Sequence, residues 1–221
     1  MPDIDDDTLE RIRAMYERDP IFSARFEQAL INDATASSAT EQDKSKHGFN
    51  AALFEGAAKL LRSNDGPRIA VLEVGGWDTH ANQGTITGSL ANRLTRLDNS
   101  LATLQTELGD VWQHTAVLMI TEFGRTVAVN GTRGTDHGTA GCAFLAGGAV
   151  KGGRVLADWP GLRSQDLYQE RDLYPTRDLN AFIKGVLHEH LSVPTSALAK
   201  SVFPNSVTAP VEDLIVDQKH S

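Results

Sequence analysis

The sequence holds a single cysteine, Cys142, so no disulfide can form within the chain and cysteine usage does not fix its redox compartment. Cys142 lies in the apolar run GCAFLAGG, where a buried small hydrophobe is the expected role. A nucleophilic thiol would need a nearby base and some exposure, and its sequence neighbours suggest neither. No stretch is long and apolar enough to cross a bilayer. The first residues, MPDIDDDTLERIR, are acidic and lack the basic region and apolar core of a secretory signal. Positive charge is also short: 21 Lys and Arg face 29 Asp and Glu, a net charge of −8. That balance argues against broad binding to nucleic acid or to an anionic membrane, although a local basic site for an anion is compatible with it. The G-x-x-x-x-G-K-[ST], G-x-G-x-x-G and G-x-S-x-G signatures are missing, so a nucleotide-binding α/β domain has no phosphate loop to support it.

What is present suits a globular protein. With 221 residues, 40% of them hydrophobic and 23% charged, the chain can form one domain with an appendage and bury a sizeable core. Residues 1–67 read as a helical N-terminal segment. Asp7 and Glu10 form a capping-box pattern ahead of Leu9, Ile12 and Tyr16, and Asp19-Pro20 separates that helix from one bearing Phe22, Phe26 and Leu30. Residues 33–48 are small and polar and read as a loop, followed by a short helix over about 50–62. After the turn signal NDGP, the run RIAVLEV (68–74) suits a buried strand. The clearest helix follows, with Ile86, Leu90, Leu94, Leu97, Leu101, Leu104, Leu108 and Val111 on one face and Asn92, Arg96, Asn99 and Gln105 on the other. TAVLMIT (115–121) and CAFLAGG (142–148) read as further buried strands, AVKGGRVL as a turn with a short hairpin strand, and RDLNAFIKGVLHEHL as a helix with Leu179, Phe182, Ile183, Val186, Leu187 and Leu191 inward. His188 and His190 are expected at that helix's negative end, and the remainder is expected to be irregular. This order predicts an α/β fold with a mainly parallel sheet, whose ligands gather at the carboxyl ends of the strands.

Two polar clusters sit at those ends. In GGWDTHANQG, Asp78 and His80 are two residues apart and project to one side of an extended segment, as a carboxylate and imidazole ligand pair for Zn, Mn or Fe would. A local Asp–His hydrogen bond or a solvated loop explains the same spacing. The second strand runs into TEFGR, with Glu122 at its end, and the long loop beyond carries Asp136 and His137 in GTDHG. Glu122 is equally a surface carboxylate paired with Arg125. Taken together, Asp78, His80, Glu122, Asp136 and His137 are the kind of set a two-metal hydrolytic site needs. Arg125 would then contact a bound oxyanion, or else form an ion pair with Glu122 or Asp136.

The segments GGWDTHANQG, LMITEFGRTVAVNGTRGTDHGTAGCAFLAGGAVKGG and the late VFP resemble the bacterial domain-of-unknown-function family 1501. That family belongs to the alkaline-phosphatase-like superfamily, with sulfatases and cofactor-independent phosphoglycerate mutases. The resemblance spans roughly 68–205 and leaves 206–221 as a tail. It implies an alkaline-phosphatase-like α/β/α sandwich with a bimetal site, one or two divalent ions (Zn, Mn or Ca), and a small anionic phosphate or sulfate ester as substrate. Asp78 and His80 match ligands of one metal, and His137 matches the later histidine that completes it. Glu122-Phe123 falls where the superfamily has an Asp-His pair for the second metal, with Asp136 as the compensating carboxylate. Family members are usually longer, often begin with an export signal to the periplasm, and carry upstream a central strand with an acidic ligand and the region of a Ser or Thr nucleophile. The chain is thus expected to correspond to the C-terminal part of such a protein. Its nucleophile is unassigned, and a partner chain or self-association is expected to complete its sheet. A non-catalytic remnant or metal-binding module of the same fold is the alternative.

Overall fold

The computed structural model describes residues 10, 11, 13, 14 and 49–216. Glu10, Arg11, Arg13 and Ala14 are helical, in agreement with the first expected helix. The expected helix bearing Phe22, Phe26 and Leu30 and the loop 33–48 lie outside the described residues. The chain divides into two compact units, one of Met1–Val74 with Arg96–Leu108 and the other of Gly75–Thr95 with Gly109–Ser221.

In the first unit, helix α1 spans Phe49–Arg62. Its alanines and leucines favour helix, and Ala51, Ala52, Phe54, Ala57 and Ala58 are buried hydrophobic residues on it. The helix stops at the expected turn, where Ser63 N–H donates to Leu60 O and Gly66 N–H to Ser63 O. Helix α2 spans Ser89–Leu108, and its Arg96–Leu108 part belongs to this unit. Ser100, Leu104 and Leu108 are buried there, while Asn92, Arg96, Asn99 and Gln105 are exposed, as their spacing predicts. Arg62 ties the two helices by donating from Nη1 to Glu107 O at 2.8 Å. The expected inward stripe is shorter than predicted: Ile86 lies before the helix and is exposed, and Val111 lies in the 3₁₀ turn Gly109–His114. The segment 68–74 is not the buried strand expected of it. It joins no sheet among the described residues, and Val71 is 92% exposed. Apolar composition makes a segment suited to a sheet interior, but neighbouring strands must supply the cover.

The second unit mixes helix with short strands. Strand β1 (Val117–Met119) pairs antiparallel with β4 (Phe144–Ala146) in the register Val117↔Ala146, Leu118↔Leu145 and Met119↔Phe144. Strands β2 (Gly124–Arg125) and β3 (His137–Gly138) form a second antiparallel pair. The expected parallel sheet is therefore absent among the described residues, although two of its expected strands exist. β1 finds its partner in a strand that returns beside it, a pairing that period and composition do not encode. The expected hairpin after Val150 is replaced too. Val150 bridges Ile215, Lys151 N–H donates to Leu214 O, and Val155 is exposed. Cys142 is exposed, contrary to the buried role expected of it, and so is Phe144 at the start of β4, because no described element covers this end of the strand.

Helix α3 (Leu179–Leu191) starts at Asp178, whose side chain accepts from Asn180 N–H at 2.8 Å and from Thr208 Oγ1 at 2.6 Å. Val186 on this helix packs with Ala149, Leu214 and Ile215, and Ala116, Leu145, Val150, Phe182 and Val211 surround them. Leu179 and Leu191, expected inward, are exposed at the helix ends. His188 closes the last turn by meeting Val193 O at 2.9 Å, in line with its expected place at the helix end. The segment after α3 is more ordered than predicted. It forms the turn Thr195–Ala197 and a π-helical turn at Leu198–Val202, and Leu214 is 2% exposed. Glu189 holds the last stretch by accepting from the backbone N–H groups of Asp213, Leu214 and Ile215. Lys184 is buried on α3 and donates to Ser206 O, Ser206 Oγ and Thr208 O at 2.8, 3.0 and 2.8 Å. Lys184→Met keeps the apolar stem but leaves those carbonyls without their charged donor, at a cost of about 1.5–3 kcal/mol. Urea unfolding of the two proteins measures the loss, and equal midpoints would mean that this tether contributes nothing.

Candidate metal centre

Two peptide segments build the site, and their backbones clasp each other. Asn82 N–H donates to Thr132 O and Gln83 N–H to Arg133 O, both at 3.0 Å, and Thr135 N–H donates to Thr79 O at 3.2 Å. Gly134 lies so close that a Cβ there would meet the His80 carbonyl carbon at 2.2 Å, so only glycine fits. Asn130 organises the 130–134 loop, its Oδ1 accepting from Thr132 N–H and Gly134 N–H. Its amide also reaches the His80 carbonyl at 3.0 Å, where Thr132 Oγ1 donates at 2.6 Å. The β2–β3 register places Arg125 opposite His137. That pairing brings the TEFGR and GTDHG motifs onto one ladder, beside the segment carrying Asp78 and His80.

Three ligand atoms converge as a result. Asp78 Oδ1 lies 2.9 Å from Nε2 of both His80 and His137, and the two Nε2 atoms are 3.2 Å apart. Metal–ligand bonds of about 2.0–2.2 Å put adjacent donor atoms roughly 3 Å apart, so these spacings fit one divalent ion. The three side chains are about half exposed, which leaves the opposite side of the cluster open to solvent. Phe123 sits against the His137 ring with centroids 4.3 Å apart.

Arg125 does not take either of its expected ion partners. Its Nη1 donates to Asp78 Oδ1, Nε donates to Thr135 Oγ1 at 3.0 Å, and Nη2 donates to Thr135 O. The guanidinium, and after it His137, holds the Asp78 carboxyl below the usual carboxylate range. Asp136 meets His80 Nδ1 at 3.2 Å, so it stands behind the ring rather than among the converging donors. The Asn130 amide, at 2.9 Å, and then His80 hold its carboxyl below the usual range as well. Glu122 is exposed and stands outside the Asp78–His80–His137 group. The structure thus joins four of the five expected ligands in one network and leaves Glu122 apart.

The chain matches the family described as Protein of unknown function (DUF1501) over residues 4–200. It belongs to that family. The match takes in residues 4–67 as well as the two motif-bearing segments. No curated protein and no solved structure matches the chain.

Some supporting residues of this family member carry no signal in the sequence. Gln83 Oε1 accepts from Thr79 Oγ1 and Thr135 Oγ1, both at 2.7 Å, and so links the two segments. Asp172, 3% exposed, accepts from Thr139 N–H and Thr139 Oγ1, both at 2.9 Å, and from Arg171. Arg171 also donates to the His137 carbonyl at 3.2 Å, so this pair braces the strand that bears His137. Arg171, then Thr139, holds the Asp172 carboxyl below the usual range. A carboxyl lowered in the folded state stabilises fully above its unfolded value of about 3.9, and that contribution fades as pH falls through the lower folded value. Asp172→Ala is therefore expected to lower stability by about 1.5–3 kcal/mol at neutral pH. The gap from wild type should narrow in acid. Denaturant titrations across pH check both parts, and a gap unchanged from neutral pH into acid would contradict the assignment.

Proposed function

We propose that the chain carries a metal-dependent hydrolase-like domain of the alkaline-phosphatase and sulfatase type, acting on phosphate or sulfate esters. The observation that carries this reading is the convergence of Asp78 Oδ1, His80 Nε2 and His137 Nε2 at coordination spacing. Two imidazoles and one carboxylate make a familiar catalytic ligand set with open positions. They suit Zn, Fe or Mn better than Ca, which takes oxygen ligands. When bound, such an ion polarises the ester or lowers the pKa of a coordinated water.

The chain's own residues set the frame. Asp78 supplies negative charge, and Arg125 fixes its orientation. Three of Arg125's five N–H groups are engaged, which leaves two to meet an anionic oxygen of the substrate. The fold that goes with this reading is the alkaline-phosphatase-like α/β/α sandwich, with the apolar segment 68–74 taking its place beside a strand from a second chain.

The second reading is a metal-binding module without turnover. It is favoured by the hydroxyls on the two site segments. Thr79 and Thr135 donate to Gln83 Oε1, and Thr132 donates to the His80 carbonyl, so none is poised as a nucleophile. Elemental analysis after loading with Zn or Mn tests both readings at once. A stoichiometric ion is expected in wild type and in Glu122→Ala, and not in Asp78→Ala or His137→Ala. Chelator-sensitive turnover of an aryl phosphate or sulfate separates the hydrolase from the module. Folded wild-type protein that takes up no metal would sink both.

A further inference from the structure

We propose that Asp136 is the positioning residue of His80, accepting its Nδ1–H and thereby leaving the Nε2 lone pair facing Asp78 and His137. An ionised carboxylate can only accept, so the 3.2 Å contact between Asp136 Oδ1 and His80 Nδ1 is a hydrogen bond when the proton is on Nδ1; Asp78 Oδ1, 2.9 Å from Nε2, is the competing acceptor, but it already accepts from Arg125 and meets His137. A neutral imidazole carries one N–H, and Nε2 is then a bare acceptor. Asp136 is itself fixed. Asn130 donates to Oδ1 from an amide whose orientation is set by two backbone N–H donors on its own oxygen. The same amide holds the His80 carbonyl, so one asparagine braces the ring's partner and the ring's backbone.

The two histidines differ in consequence. Among the described residues His137 Nδ1 has no hydrogen-bond partner, while its Nε2 meets Asp78 Oδ1 at 2.9 Å. In the metal-free protein that contact keeps the His137 proton on Nε2. His80 is ready to bind an ion, whereas His137 must first move its proton, through solvent, from Nε2 to Nδ1. The tautomer of His80 stands on its own, and its effect on metal affinity rests on the ion site proposed above.

Long-range ¹H–¹⁵N spectra of the metal-free protein, at a pH where the imidazoles are neutral, test the assignment. His80 is expected as Nδ1–H in wild type. It should move toward Nε2–H in Asp136→Ala, where Asp78 remains as the competing acceptor. In Asp136→Asn an amide oxygen still accepts, so Nδ1–H should persist, and this variant guards against a folding defect in the alanine form. Zinc affinity, measured by chelator competition, should fall about 10–100-fold in Asp136→Ala and less in Asp136→Asn. His80 as Nε2–H in wild type, or a tautomer indifferent to Asp136, would overturn the proposal. An Asp136-dependent tautomer in a protein that takes up no zinc would uphold it while removing the ion site.

Discussion

Everything at the site depends on the backbone clasp between residues 79–83 and 130–135. Each segment alone is a polar loop, and neither could hold a side chain still. Together they share hydrogen bonds at Asn82, Gln83 and Thr135 and a bridge between Ala81 and Arg133. The side chains of Asn130, Thr132 and Gln83 cross from one segment to the other and tighten the clasp. Fixing loop backbone costs conformational entropy, and this density of polar contacts offsets that cost where apolar burial is scarce.

The clasp produces an electrostatic arrangement with Asp78 at its centre. One carboxylate oxygen faces two imidazoles and a guanidinium, and a second carboxylate stands behind one of the imidazoles. Negative charge is thus placed where basic groups hold it ionised. The supports are graded by burial. The side chains of Asp78, His80 and His137 are open to water, while Thr135 and Asp172 beneath them are buried. Such an outer layer of buried hydrogen bonds is what keeps exposed ligands oriented.

Much of this was legible in the residues. The helices 49–62, 89–108 and 179–191 followed from apolar spacing and turn signals, because a helix is closed by its own local hydrogen bonds. The motifs single out Asp78, His80, Asp136 and His137, whose side chains the structure brings together. Sheet pairing was not legible. Strand β1 chose β4 in antiparallel register, and 68–74 joined no described sheet, because a strand's partner is a long-range property. Gln83, Asn130 and Asp172 carried no signal, since each is an ordinary polar residue until the fold supplies its donors. Arg125 is expected from the sequence to meet an oxyanion, Glu122 or Asp136, and not Asp78, a residue distant in sequence.

The sequence by itself determined membership in the family, the helical segments and the identity of the chemical groups available to a site. Those depend on residue type and on spacing within a few turns of chain. Only the tertiary structure decided that Asp78, His80 and His137 would converge on one point. It also decided that Asp136 would stand behind His80 and that Glu122 would remain outside. Convergence is a matter of about an ångström. That precision came from the clasp and the β2–β3 register, both made by residues far apart in the chain.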